Sequence, residues 1–221
     1  MEYFNIDNYM ENLISRCKEA FGNRLVYVGL QGSYLRGEAT ENSDIDVMIV
    51  LDGFSVEDMK TYRDILKEIG WYEKSCGFIC GKNDLANWNP LEALQLRYTT
   101  KDLLGKLEKL LPPATRQDEI NYVKISLGNF YHEICHRYIH AGDEKSRNKL
   151  RVSSKQLYFV IQNLHYLESG KFILKKSDLK AVVSAEDCEM LCIPELPDDY
   201  DFDKTYTAVI EWCQKAFTRI K

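Results

Sequence analysis

The 221-residue chain has no apolar run approaching the roughly 20 residues that a membrane span requires, so no membrane segment is expected. It also lacks an excess of positive charge. Lys and Arg number 29 against 34 Asp and Glu, for a net charge of −5. That balance argues against a general polyanion binder, because nonspecific nucleic-acid binding rests on clustered Lys and Arg. An acidic surface suits a cationic small substrate instead. The start, Met1 to Cys17, has acids and no basic-then-apolar leader pattern. No CxxC pair occurs. The seven cysteines are odd in number, and Cys76/Cys80 and Cys188/Cys192 are spaced CxxxC with no matching His pair. Reduced thiols in a cytoplasmic protein are expected, and a zinc site is not. There is no internal repeat and no low-complexity tract. What remains is an ordinary globular balance, 45% hydrophobic and 29% charged, long enough for one large domain or two small ones.

The informative stretch is Leu25 to Leu51, LVYVGLQGSYLRGEATENSDIDVMIVL. Leu25 to Leu30 is apolar and rich in Val, and predicts a strand. Gln31-Gly32-Ser33 must turn, and the polar segment Tyr34 to Ser43 follows. Asp44 and Asp46 then lead into the aliphatic run Val47 to Leu51. Alternation along a strand puts the two carboxylates on one face. Adjacent carboxylates repel, and a hard divalent cation that takes oxygen ligands relieves the repulsion. Gly32 lets backbone approach a phosphate closely, and Ser33 offers N–H and O–H donors. Asp-x-Asp alone is usually a solvated strand end and Gly-Ser alone a plain turn. Their order here points to phosphoryl or nucleotidyl transfer.

Gly32-Ser33 and Ser43-Asp44-Ile45-Asp46, with Arg36-Gly37 between them, resemble the signature of the nucleotidyltransferases of the DNA polymerase β superfamily. The pattern GSYLRG…SDID is most similar to the small bacterial branch that includes aminoglycoside nucleotidyltransferases. The resemblance implies Mg²⁺ on Asp44 and Asp46, ATP or another NTP as co-substrate, and phosphate contacts from Gly32, Ser33, Arg36 and Ser43. It also implies a third carboxylate. Pro90-Leu91-Glu92 resembles the third-strand acid of that branch, so Glu92 is the preferred catalytic and metal-site candidate, ahead of Asp84 and Asp102.

Taken in order, Asn5 to Ala20 has the spacing of an amphipathic helix. Ser55, with Asp58 three residues on, caps a helix that ends at Gly70. Ser75 to Cys80 is a short strand. Asn83 to Pro90 reads as a loop around Trp88. Leu91 to Tyr98 suits a strand or a short helix, and its order in the chain favours a third strand. Thr99 to Gly105 is expected to leave the sheet. Pro112-Pro113 marks a boundary, since a helix passes through it with difficulty. Beyond it, Gln117 to His140 and Lys145 to Glu168 predict long helices, Ser177 to Val183 and Glu186 to Leu191 short ones, Pro194 to Asp201 an acidic loop, and Asp203 to Ile220 a final helix. The expected class is α+β: a nucleotidyltransferase domain over residues 1–112 with a mixed sheet flanked by helices, and a C-terminal helical bundle over 113–221.

Arg151 and Lys155, four apart on one helix face, are candidate triphosphate contacts, with a solvated basic face as the blander reading. His132, His136 and His140 recur every four residues, a metal-capable spacing without a carboxylate that the sequence places beside it. Three functions compete. The first is an enzyme moving a nucleoside monophosphate to a hydroxyl of a small molecule, such as an aminoglycoside-like antibiotic. The second is a toxin–antitoxin nucleotidyltransferase acting on a protein or RNA. The third is a non-catalytic nucleotide-binding member. An Arg-Asn-x-x-x-His nuclease signature is absent: Arg147-Asn148 is followed by Val152 and Ser153. The sequence leaves open whether two chains share a cleft as a homodimer.

Overall fold

The computed structural model describes residues 4–221, which divide into two compact units between Pro113 and Ala114. In the first unit the helix α1 (Ile6–Phe21) is capped by Asn5, whose side chain accepts from the Asn8 N–H at 3.0 Å. The strand β1 (Leu25–Leu30), the one-turn helix α2 (Gly32–Arg36) and the strand β2 (Ile45–Leu51) follow. Next come α3 (Val56–Ile69), β3 (Ser75–Gly81), α4 (Lys82–Ala86), α5 (Pro90–Thr99) and β4 (Lys101–Leu104). The α3 helix starts on the expected capping box, with Ser55 and Asp58 each bonding the other's backbone N–H.

The strands form one mixed four-stranded sheet in the order β3-β2-β1-β4. β1 pairs antiparallel with β2 and β4, and β2 pairs parallel with β3. The period of two sorts β2 between two cores. Ile45, Val47, Ile49 and Leu51 pack with Leu13 and Cys17 of α1 and Tyr62 and Ile65 of α3. Met48 and Val50 face the other side, with Tyr27, Cys80, Leu85 of α4 and Ala93 of α5. Asp46 belongs to this second row by alternation.

Two expectations in this unit are corrected. Leu91 to Tyr98 is helix rather than strand. Asn89 caps α5 by accepting from the Leu91 N–H at 3.0 Å, and Pro90 opens it, where its missing N–H costs nothing. Leu, Glu, Ala, Gln and Arg are good helix formers, and no β-branched residue lies between Leu91 and Tyr98. The sheet's remaining strand comes from Lys101–Leu104, inside the segment expected to leave the sheet. Short and charged, KDLL carries little strand signal, yet it pairs Gly29 with Asp102 and Leu30 with Lys101. Asn83 to Pro90 also contains the short helix α4 rather than loop alone.

The second unit holds α6 (Arg116–His140), α7 (Asp143–Ser153), α8 (Leu157–Ser169), α9 (Lys176–Lys180), α10 (Ala185–Cys192) and α11 (Phe202–Arg219). They surround one core that includes Leu127 and Phe130 of α6, Ile161 and Leu164 of α8, and Val209 and Trp212 of α11. The single helix expected from Lys145 to Glu168 is two helices joined by a 3₁₀ turn, Ser154–Gln156. Ser153 and Ser154 are buried there. Serine is a weaker helix former than Leu, Lys or Gln, and two stand in succession here. No described helix is long and apolar enough to cross a membrane.

Candidate nucleotide site

The site is built where β1 and β2 end side by side. The Gln31 N–H donates to the Asp46 carbonyl at 2.9 Å, which ties the start of α2 to the start of β2. Gly32 then takes a left-handed φ of 67°, and a Cβ on it would lie 1.8 Å from Asp46 Oδ2. Only glycine fits there, on both backbone and steric grounds. A side chain here would also push the Asp46 carboxylate out of its position. The segment expected to turn and run on as polar chain instead coils into α2, closed by Gly37 in the left-handed region at φ 70°. The first N–H groups of a helix have no acceptor within it, so the amides of Gly32, Ser33 and Tyr34 are available to an anion.

Asp46 is half-buried and Asp44, one residue before the strand, is exposed. Burial raises the Asp46 carboxyl above its ordinary value, and the charge on Asp44 pushes it the same way. The neighbouring Cys76 thiol and the charge of Arg36 pull back only in part. This is the repulsion expected of neighbouring carboxylates, resolved on the inner one. Two hard oxygen donors and a glycine cradle fit Mg²⁺, which usually binds one or two carboxylates together with substrate phosphates. Asp44 and Asp46 would hold it. Among the described residues, no three His, Cys, Asp or Glu side chains are grouped to hold a metal ion unaided.

The other predicted residues fall as follows. Arg36 Nε donates to Glu38 at 2.8 Å, and its charge also reaches Asp46. The Ser43 hydroxyl accepts from the Thr40 N–H at 2.8 Å, so it closes the turn before β2. Glu92 stands exposed in the first turn of α5 and accepts from Trp88 Nε1 at 2.7 Å. The Trp88 ring stacks on Phe78 with centroids 6.3 Å apart, and Phe78 pairs with Met48, two residues beyond Asp46. Glu92 thus stands on a helix that packs on the Asp46 face of the sheet, not on a neighbouring strand, and it is not grouped with Asp44 and Asp46 among the described residues. Asp84 caps α4 by accepting from the Gly81 N–H at 3.1 Å, and Asp102 accepts from the Leu107 N–H at 3.2 Å. In the helical unit, Arg151 is engaged with the Leu196 carbonyl at 2.7 Å and with Asp198 at 2.6 Å. Lys155 is exposed on the 3₁₀ turn. His132, His136 and His140 line an exposed face with ring centroids 6.1 and 4.7 Å apart.

One neighbour escaped the sequence reading. Cys76 is the register partner of Asp46 on β3. The run Ser75 to Cys80 signals a strand, but nothing in the sequence tells which strand lies beside β2.

Comparisons with known proteins bear on the fold that carries this geometry. Residues 10–111 match the family model described as the nucleotidyltransferase domain. A protein of Methanocaldococcus jannaschii, named as a candidate protein adenylyltransferase, is 33% identical over 66 residues, 28% of this chain and 45% of that protein. The match thus spans less than half the length of that curated relative. Among solved structures, a spectinomycin adenyltransferase of Enterococcus faecialis, crystallised with ATP and spectinomycin, matches with a TM-score of 0.58 at 13% identity, over 98% of this chain and 99% of that one. A toxin-antitoxin crystallised with AMP-PNP matches at a TM-score of 0.32 and 21% identity over 58% of this chain and 93% of that one, too low to carry an argument. The family match and the fold likeness thus fall on the same first unit that carries the GSYLRG…SDID signature, and residues 10–111 are similar to a nucleotidyltransferase domain.

Proposed function

We propose that the protein transfers a nucleoside monophosphate from ATP, or another NTP, to a hydroxyl of an acceptor in a Mg²⁺-dependent reaction. The observation that carries this reading is the Gly32–Asp46 contact, which packs an anion-accepting turn directly against a carboxylate whose charge is costly without a cation. Mg²⁺, when bound, would neutralise charge on the phosphates and on the attacking and leaving oxygens. The residues do the rest. Asp44 and Asp46 hold the cation, and the amides of Gly32, Ser33 and Tyr34 with the Arg36 guanidinium receive phosphate oxygens. The acceptor oxygen bonds to the α-phosphorus, its proton passes to a base, and pyrophosphate leaves. Glu92 is the proposed base, reached from α5.

The acceptor proposed first is a small molecule of the aminoglycoside kind, which would make the protein an antibiotic-resistance enzyme. The support is the likeness to a spectinomycin adenyltransferase along 98% of the chain, together with the net negative charge. A protein acceptor is the second reading, favoured by the candidate protein adenylyltransferase of M. jannaschii. Labelled NTPs with Mg²⁺, offered to small cationic acceptors and to candidate proteins, test both, with Asp44→Ala as the blank. Label on neither class would sink the reading. Glu92→Gln is expected to keep nucleotide binding and the Trp88 contact while lowering turnover about 10²-fold, the usual contribution of a positioned base.

A further inference from the structure

We propose that the groove between α6 and α11 of the helical unit binds an aliphatic dication, a diamine or polyamine. The groove holds about 460 Å³, within the roughly 300–1,000 Å³ of small-molecule sites, and its lining is mostly apolar. Tyr138 and Ile139 come from α6, Tyr206 and Ile210 from α11. Tyr138 is 49% exposed and Ile139 71%, a run of apolar surface that the chain itself leaves uncovered. The Tyr138 ring stacks on Phe202 and tilts against Tyr206, with centroids 5.9 and 4.6 Å away, so its position is held. An aromatic ring held half open to solvent attracts a cation to its face.

The charges decide the class of ligand. Asp203 and Glu211 are the first and last residues of α11 that line the groove, and both are exposed. At a rise of 1.5 Å per residue they stand about 12 Å apart along the helix. Among the described residues neither carboxylate has an ion pair or a hydrogen bond, and no Lys, Arg or His lines the groove. Lys204 follows Asp203 but does not line it, and Lys215, one turn beyond Glu211, is held by Glu186 at 2.8 Å. An apolar floor with an unpaired carboxylate toward each end suits a hydrocarbon chain with an ammonium at each end. A neutral ligand would leave both carboxylates beside it without partners, and an anion would be repelled. The site uses none of the residues proposed for nucleotide transfer.

The experiment is isothermal titration calorimetry of the full chain with octamethylenediamine, set against octylamine and trimethylenediamine. The long diamine should bind most tightly. Octylamine reaches one carboxylate and should bind about two- to fivefold more weakly, the scale of one exposed ion pair. Trimethylenediamine lacks both the span and the apolar chain and should be weaker still. Asp203→Asn and Glu211→Gln should each erase the advantage of the long diamine over octylamine. Ile139→Lys lays the chain's own ammonium on the floor and should weaken both octyl ligands on the order of tenfold. All three positions are exposed, and an unchanged urea midpoint confirms that each variant is folded. Asp46→Asn should bind the diamine as the wild type does. A long diamine that binds no tighter than octylamine overturns the assignment. So does one whose advantage survives in the Asp203→Asn/Glu211→Gln double variant, or whose binding is lost in Asp46→Asn. A helical Leu/Lys peptide that binds through Ile139 while the diamine does not would make the groove a protein-docking surface instead. Each of these outcomes leaves the nucleotide-transfer reading standing.

Discussion

Asp46 at the start of β2 and Asp187 on α10 are both drawn out of water, one in each unit, and their carboxyls are pushed in opposite directions. Asp187 is 2% exposed, yet its carboxyl lies below the ordinary carboxylate range. Burial raises it, but Arg219 donates at 2.7 and 2.9 Å, Trp212 Nε1 at 2.7 Å, and the Ser184 hydroxyl adds its share. Arg219 is held in turn by Glu168 at 2.8 Å, so the network is closed on both sides. Asp46 has only the neighbouring Cys76 thiol and the Arg36 charge to lower its carboxyl, and a like charge on Asp44 beside it. A buried carboxylate with its partners supplied by the chain is scaffold. One left short of partners is what the proposed cation site requires. The two units thus use the same residue type for opposite ends.

The largest effect that would break this contrast is on binding. Asp46→Asn should remove the stabilisation by Mg²⁺ and ATP and lower transfer by about 10²-fold or more, the scale of losing one preorganised electrostatic group. The metal-free chain should melt no earlier than wild type, because a repulsion has been removed. A metal-free variant that melts well below wild type would make Asp46 scaffold after all. Asp187→Ala should do the reverse. It leaves Trp212 without its acceptor and Arg219 with Glu168 alone, and should destabilise the helical unit by about 2–4 kcal/mol, read as a lower urea midpoint. Its Mg²⁺ half-point with ATP should stay at the wild-type value.

The pH dependence sharpens the same contrast at smaller amplitude. The folded-state pKa of Asp187 is depressed, so its contribution is present above the unfolded-state value, about 4, and is lost as pH falls through the lower folded value. Asp46 is raised. Between about pH 4 and its folded value the native state binds more protons, so this group makes the chain more stable as pH falls. Urea midpoints measured from pH 7 down to about 3 should show a shallower acid loss in Asp187→Ala than in wild type. In Asp46→Asn the opposing gain at mildly acid pH should vanish. The smallest effect is at α3, where Ser55→Ala removes half of a capping box and should cost about 1 kcal/mol without touching nucleotide binding.

Much of the molecule follows from local chemistry. The Leu25–Leu51 stretch carries its own instructions: an aliphatic run, a glycine that must turn, and Asp-Ile-Asp leading into a second aliphatic run. The Ser55–Asp58 cap and the stops at Gly70 and Gly170 are equally local, because a capping side chain and a left-handed glycine act within a few residues. The mixed sheet, the helical second unit and the Asp44–Asp46 pair could all be read on that basis. Tertiary structure alone decided the rest. Leu91 to Tyr98 has no clear period, and its fate turned on an Asn cap and a Pro at the helix start. KDLL is a strand only because the edge of β1 offers it partners. Above all, the register of β2 against β3 chose Cys76, not Glu92, as the neighbour of Asp46. Pairing between strands some 30 residues apart depends on which backbone edges meet, and a Gly77 that permits the approach looks in sequence like any other glycine.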